Sequence, residues 1–233
     1  VRSDAGRDPP QAEPIGGVYP SVAHVQRFGG RLSCDRSGGR DHSGRFRMGA
    51  LLMRVLVACE FSGRVRDAFI ERGHNAMSCD LLPTETPGPH KIGNVLHLLH
   101  WGWDLLIAHP PCRFLAVSGA RWFSERQEEQ AAALEFVREL MDAPVDRIAI
   151  ENPVSVISSK IRKPDQYIQP WQHGHPETKK TGLWLKGLPL LEPSEVVEGR
   201  EPVVHRMPPG PERWKHRSRT YKGIAAAMAE QWG

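Results

Sequence analysis

The sequence predicts a doubly wound α/β domain. Short apolar runs of strand length alternate with helically spaced segments, and the runs end in polar turns rather than continuing as helix. Strands joined by helices in this order form a parallel sheet with right-handed crossovers, whose ligands sit beyond the carboxyl ends of the strands.

Taken in order, Arg54-Val55-Leu56-Val57-Ala58-Cys59 is an apolar run of the kind buried on both faces of a parallel sheet. Gly63 then precedes a helix over 64–72, with Val65, Ala68 and Phe69 at helical spacing and Gly73 as its stop. Asn75-Ala76-Met77-Ser78-Cys79-Asp80 is a second strand, ending in an acid. Trp103-Asp104-Leu105-Leu106-Ile107-Ala108 is a third, running into His109-Pro110-Pro111-Cys112. A helix is expected over 124–141, because Ala131, Leu134, Phe136, Val137 and Leu140 share a face. Arg147-Ile148-Ala149-Ile150 is a strand followed by Glu151-Asn152-Pro153. Gly182-Leu183-Trp184-Leu185 is the last strand, and residues 224–232 form the last helix.

Residues 1–52 differ. They are rich in Gly, Arg, Asp, Ser and Pro, show neither period, and are expected to be a disordered extension. Met48 and Met53 lie where the ordered pattern begins, so either is a candidate start of the natural chain. The net charge of +4 is concentrated in that extension, which holds eight arginines against five acids. The remaining 23 basic and 22 acidic residues leave residues 53–233 nearly neutral, so nucleic-acid affinity there requires a local patch.

Four cysteines without a CxxC pair argue against a disulfide framework or a four-thiolate zinc site. The pairs His97/His100 and His173/His175 lack cysteine partners at finger spacing, so no metal is expected. With no apolar run near the roughly 20 residues of a membrane span and no secretory signal, the expectation is a cytoplasmic protein without membrane attachment.

The candidate chemistry lies at the strand ends. The turn Glu60-Phe61-Ser62-Gly63 joins the first strand to a helix N-terminus, where free N–H groups and a small residue admit a ligand; an ordinary βα turn looks the same. Asp80, twenty residues after Glu60, sits where an acid binds ribose hydroxyls, although a turn aspartate fits too. Pro110 and Pro111 remove two backbone donors and make a rigid loop, on which Cys112 is either a nucleophile or a buried thiol. Glu151 ends an apolar strand, where burial is expected to raise its pKa and let it relay a proton; a capping acid is the alternative.

The order Phe-Ser-Gly, acidic strand end, Pro-Pro-Cys, Glu-Asn-Pro resembles the DNA (cytosine-5) methyltransferases, especially the small ones of bacteriophages and prophages. The resemblance implies a Rossmann-like S-adenosylmethionine-dependent methyltransferase fold over 53–233, with a very small target-recognition insert at 187–217. It implies catalysis by Cys112 with Glu151 and Asn152 on a cytosine flipped out of double-stranded DNA. S-adenosylmethionine would lie along Glu60, Phe61, Ser62, Gly63, Asp80, Asn94, Pro110 and Thr220. Arg113, Ser118, Lys179, Arg213, Lys215 and Arg217 would meet the nucleic acid, and the protein is expected to act as a monomer.

Three departures from the family pattern stand out. The first motif has one glycine, Asn94 stands where an acid is expected, and Glu177-Thr178-Lys179-Lys180-Thr181 replaces a Gln-x-Arg-x-Arg segment. Lysine lacks arginine's planar fork, so contact to the cytosine carbonyl must differ. The basic insert can grip phosphates or be a solvated loop. The same chemistry on RNA, or a catalytically weak cofactor- or DNA-binding protein, are the other functions open to this sequence.

Overall fold

The computed structural model describes residues 52–233. The extension expected to be disordered lies, apart from Leu52, outside the described residues.

Seven strands make one sheet: β1 (Arg54–Ala58), β2 (Asn75–Asp80), β3 (His90–Ile92), β4 (Leu105–Ala108), β5 (Ile148–Pro153), β6 (Gln166–Ile168) and β7 (Thr181–Lys186). Their order across the sheet is β3-β2-β1-β4-β5-β7-β6. β1 to β5 pair in parallel, and β7 runs antiparallel between β5 and β6. The chain works outward from β1 to β3, then returns to β4 beside β1, so the topological switch point lies between the ends of β1 and β4. Crevices that bind ligands in open α/β sheets form at such points.

Burial follows the pleat. Val55, Val57, Leu105 and Ile107 point to one face and pack with Val65 and Phe69 of α1 (Arg64–Glu71) and with Met228 and Trp232 of α6 (Lys222–Trp232). Leu56, Leu106, Ile148 and Ile150 alternate onto the other face, also fully buried, and α2 (Gln127–Met141) packs against β5. α3 (Ile157–Lys160), α4 (Val203–Arg206) and α5 (Arg213–Ser218) are short, and the last two lie within the expected 187–217 insert.

All five expected strands form, four of them within two residues of their expected ends, while β5 runs three residues past Ile150 to take in Glu151, Asn152 and Pro153. Two more, β3 and β6, escape a pattern reading because they are three-residue edge strands with polar sequences, His-Lys-Ile and Gln-Tyr-Ile. The helix expected over 124–141 begins only at Gln127. Arg126 has φ −131° and ψ 39°, outside helical values, and separates α2 from a 3-10 stretch over Val117–Glu125.

Two close approaches fix glycines. Gly63 has φ 73°, and a Cβ there would collide with the Thr86 hydroxyl. Gly223 lies against the His173 carbonyl, so the first turn of α6 can dock only without a side chain there.

Candidate active site

The parallel register aligns Ala58 with Ala108 and Ala108 with Ile150. The next residue of each strand therefore falls in one row along the carboxyl rim: Cys59, His109 and Glu151. The His109 amide donates to the Ala58 carbonyl at 3.0 Å, which fixes the row at the switch point. Cys59 holds φ 57°, the only positive value at a described non-glycine residue, so the backbone is strained as it leaves β1.

Beyond the switch point a cavity of about 180 Å³ is lined by Cys59, Glu60, Phe61, Ser62, His109, Ser218 and Thr220. Three expected cofactor contacts, Phe61, Ser62 and Thr220, thus meet there. Glu60 lines the cavity too, but its carboxylate is engaged: Oε1 accepts from Val65 N at 2.7 Å and Oε2 from Arg66 N at 3.2 Å. It caps the N-terminus of α1 across the αL residue Gly63. Burial pushes the Glu60 pKa up, against His109 and these amides, which pull it down. Asp80 ends β2 as expected; burial raises its pKa, opposed first by the Leu82 amide that donates to Oδ1 at 3.0 Å. Asn94 follows β3 and caps the next 3-10 turn by accepting from Leu96 N at 3.0 Å.

A wall the sequence did not announce closes this side. Fully buried Arg66 donates to Asp67, Ser78, Thr84 and Thr86, binding the 81–89 loop to α1. From that loop Glu85 accepts two bonds from Arg219, at 2.7 and 2.5 Å, and the Arg64 guanidinium donates to the Thr220 carbonyl. The Phe61 and Trp214 rings stand 5.8 Å apart. Beside this clasp the enclosed free space is far smaller than that of an ordinary small-molecule site. The residues suit an adenosine-containing cofactor (an acid ending β2, a tight βα turn, a buried ring nitrogen without partner on His109), and the clasp must loosen to admit all of it.

On the other side of His109, Cys112 opens a 3-10 turn at Cys112–Phe114 and is exposed. Asn152, buried at the end of β5, donates to the Pro110 carbonyl at 2.8 Å and pins the Pro-Pro-Cys loop to the sheet. Asn152 is thus a positioning side chain, and Pro110 meets it rather than the cavity. His109 Nδ1 lies 3.1 Å from Glu151 Oε2.

Here one expectation is overturned. Burial alone would raise the Glu151 pKa, but the His109 hydrogen bond, the Lys179 and His109 charges and the Thr181 hydroxyl outweigh it, and Glu151 lies below its ordinary value. The Cys112 thiol is pushed up by the surrounding protein; Lys179 pulls it down, Glu151 up and Arg217 down. Lys179 and Arg217 thus act electrostatically on the thiol, whereas the sequence led us to expect them at the nucleic acid. Lys179 also lies 5.9 Å over the Tyr221 ring.

The remaining expected contacts are spread along the rim. Arg113 and Ser118 are exposed on the loop after Cys112, with Arg113 5.4 Å over the Phe114 ring. Arg213, Lys215 and Arg217 belong to α5; Lys215 pairs with Glu212 at 2.9 Å, and the buried Nε of Arg213 has no partner. His109 is the functional side chain that pattern reading missed. Its signal was present, a polar residue between a buried strand and two prolines, but nothing in the sequence gave it a partner.

The strand order, with an antiparallel β7 between β5 and β6, makes a doubly wound Rossmann-like sheet, as expected. No protein-family model and no curated protein matches the chain. Among solved structures it is similar to an Escherichia coli prophage-encoded protein described as a DNA modification methyltransferase, at 14% identity over 63% of this chain and 52% of that one, TM-score 0.44. It is also similar to the Entamoeba histolytica methyltransferase EhMeth, at 15% identity over 69% and 61%, TM-score 0.46. A third similar structure is the Schizosaccharomyces pombe Dnmt2 methyltransferase, at 15% identity over 65% and 53%, TM-score 0.42. The chain spans between 52% and 61% of the length of these three, and the chemistry below rests on its own residues. Among the described residues no helix is long and apolar enough to cross a membrane.

Proposed function

We propose that this protein methylates carbon 5 of cytosine in double-stranded DNA, with Cys112 as nucleophile and S-adenosylmethionine as cofactor. The observation that carries the reading is the rim itself. The Pro-Pro-Cys loop is pinned by Asn152 beside Glu151, and a cofactor-type cavity adjoins it across His109.

The cofactor supplies an electrophilic methyl group. Glu60 holds the turn at the N-terminus of α1, and Asp80 offers its carboxylate to ribose hydroxyls. With a cytosine flipped into the site, the Cys112 sulfur bonds to ring carbon 6, and the carbon 5–carbon 6 electron pair becomes available at carbon 5. The proton that Cys112 loses on attack passes to Glu151, which gives it to N3 as negative charge builds on the ring and takes it back when the ring is restored, while the carboxyl group accepts a hydrogen bond from the exocyclic amino group. After methylation a base takes the proton from carbon 5, the sulfur–carbon bond breaks, and Cys112 is released. The raised thiol pKa means that Cys112 rests as a thiol and is activated by Lys179 and Arg217 once the site closes. Arg113 and Ser118 on the loop, with Arg213, Lys215 and Arg217 on α5, supply the nucleic-acid contacts.

The test is transfer of tritiated methyl from S-adenosylmethionine to duplex DNA, with a matched RNA as comparison. Wild-type protein is expected to label the DNA cytosine and Cys112→Ser to label nothing. Label on RNA alone would reassign the substrate. No label on either, with cofactor still bound, would leave a binding protein.

A further inference from the structure

His109 joins the two halves of the site. Its side chain is 8% exposed. Nδ1 meets Glu151 Oε2 at 3.1 Å, while Nε2 is buried and has no hydrogen-bond partner. A buried polar atom without partner costs about 1–3 kcal/mol, so its persistence at a ligand crevice calls for an occupant. The same ring lines the cavity formed by Cys59, Glu60, Phe61, Ser62, Ser218 and Thr220. The Glu151 carboxylate lies below its ordinary pKa and only accepts, so Nδ1 carries a proton toward it, and Nε2 is the ring atom left to meet a polar group in the cavity.

We propose that His109 is a positioning residue tying Glu151 to the cofactor cavity: Nδ1–H orients the carboxylate, and Nε2 forms a hydrogen bond with a polar group of the bound cofactor. This rests on the methyl transfer proposed above. Glu60, after β1, and Asp80, ending β2, act on the ring from the cavity side. Glu151 is faced by His109, by Lys179 and Thr181 leading into β7, and by Cys112 on its loop. His109 thus seats Glu151 from the cavity side, and a filled cavity locks the ring that holds it.

Two substitutions separate the two nitrogens. In His109→Asn the amide N–H takes the place of Nδ1–H, and the polar group at Nε2 is lost. In His109→Gln the longer side chain presents its amide near the Nε2 position, and the donor to Glu151 is lost. S-adenosylhomocysteine serves as the binding probe, because its affinity needs no turnover. His109→Asn is expected to bind it about tenfold more weakly, with the acid limb of the kcat–pH profile unchanged. His109→Gln is expected to bind it within about threefold of wild type. Its acid limb should move to higher pH, because Glu151 has lost a donor that holds its pKa down.

A purely structural histidine would move both readouts together in both variants, and that result overturns the proposal, as does unchanged binding in His109→Asn. Should both variants unfold, nitrogen NMR of the wild-type imidazole decides. A His109 Nε2 resonance that shifts on adding S-adenosylhomocysteine supports the proposal, and one that does not overturns it. Binding and turnover by wild type with unaffected variants refute His109 alone. Wild-type protein that binds no S-adenosylhomocysteine refutes both this and the methyl transfer on which it rests.

Discussion

Glu60 illustrates how geometry reassigns a side chain expected to touch cofactor. Its carboxylate accepts two amide bonds at the start of α1, 2.7 and 3.2 Å long, and the residue is 4% exposed, so solvent screens little of the interaction. A hydrogen bond to a charged group contributes about 1.5–3 kcal/mol net. Two are removed in Glu60→Ala, but the buried charge goes with them, and burial raises the Glu60 pKa. An acid whose folded pKa is raised contributes least at neutral pH, since the folded state holds its proton more tightly than the unfolded state. The two effects oppose each other, leaving an expected loss of roughly 2 kcal/mol, near the upper end of measured cap losses. With a urea slope of about 2 kcal/mol/M, the unfolding midpoint of Glu60→Ala should fall by about 1 M. Glu60→Gln keeps one acceptor and discards the buried charge, so it should stay within about 1 kcal/mol of wild type. Urea unfolding followed by circular dichroism measures both. A Glu60→Ala midpoint equal to wild type, together with lost S-adenosylhomocysteine binding, would refute the cap and restore Glu60 as a cofactor ligand.

Other expectations follow from the same contacts. Lys179→Met should raise the pKa of both Cys112 and Glu151, shifting the alkaline rise of activity to higher pH and slowing reaction at pH 7 by about tenfold; Lys179→Arg should retain most of the rate, and unchanged profiles in both would remove Lys179 from the site. Trp214 stands against Phe61 at the cavity mouth, so cofactor titration should change its fluorescence, an effect absent in Trp214→Phe. Arg219→Ala opens the Glu85 clasp; because the pair is partly exposed, stability should fall by no more than about 1 kcal/mol while cofactor association speeds up, as stopped-flow mixing would show. If Lys215 and Arg217 contact phosphates, alanine at either should lower the salt dependence of DNA binding by about one unit of log–log slope, without altering sequence preference.

The sheet was legible where burial is two-sided. β1 after Arg54 and β4 throughout are apolar because both faces are covered. β3 and β6 lie at the sheet edges with polar sequences, so no periodicity marks them. The Pro-Pro-Cys loop was legible because two prolines exclude alternatives, whereas its tie to β5 through Asn152 spans 42 residues and leaves no local trace. Glu151 shows the limit of reasoning from burial alone. The strand end correctly indicated a shielded carboxylate, but the direction of its pKa depends on His109 and Lys179, which reach it from two other segments. Glu60 stood in a turn open to ligand binding or to an ordinary connection, and its role as a helix cap shows only in its bonds to Val65 N and Arg66 N.

The most direct measurement concerns Cys112. A DNA duplex in which the target cytosine is replaced by 5-fluorocytosine cannot lose a proton from carbon 5, so the enzyme should remain bonded to it once the methyl group has moved. Intact-mass spectrometry of wild-type protein with this duplex and S-adenosylmethionine should reveal a covalent complex, and peptide mapping should place the bond on Cys112. Cys112→Ala should give none. A covalent complex that forms equally well with Cys112→Ala would contradict the central claim, whatever the rest of the site does.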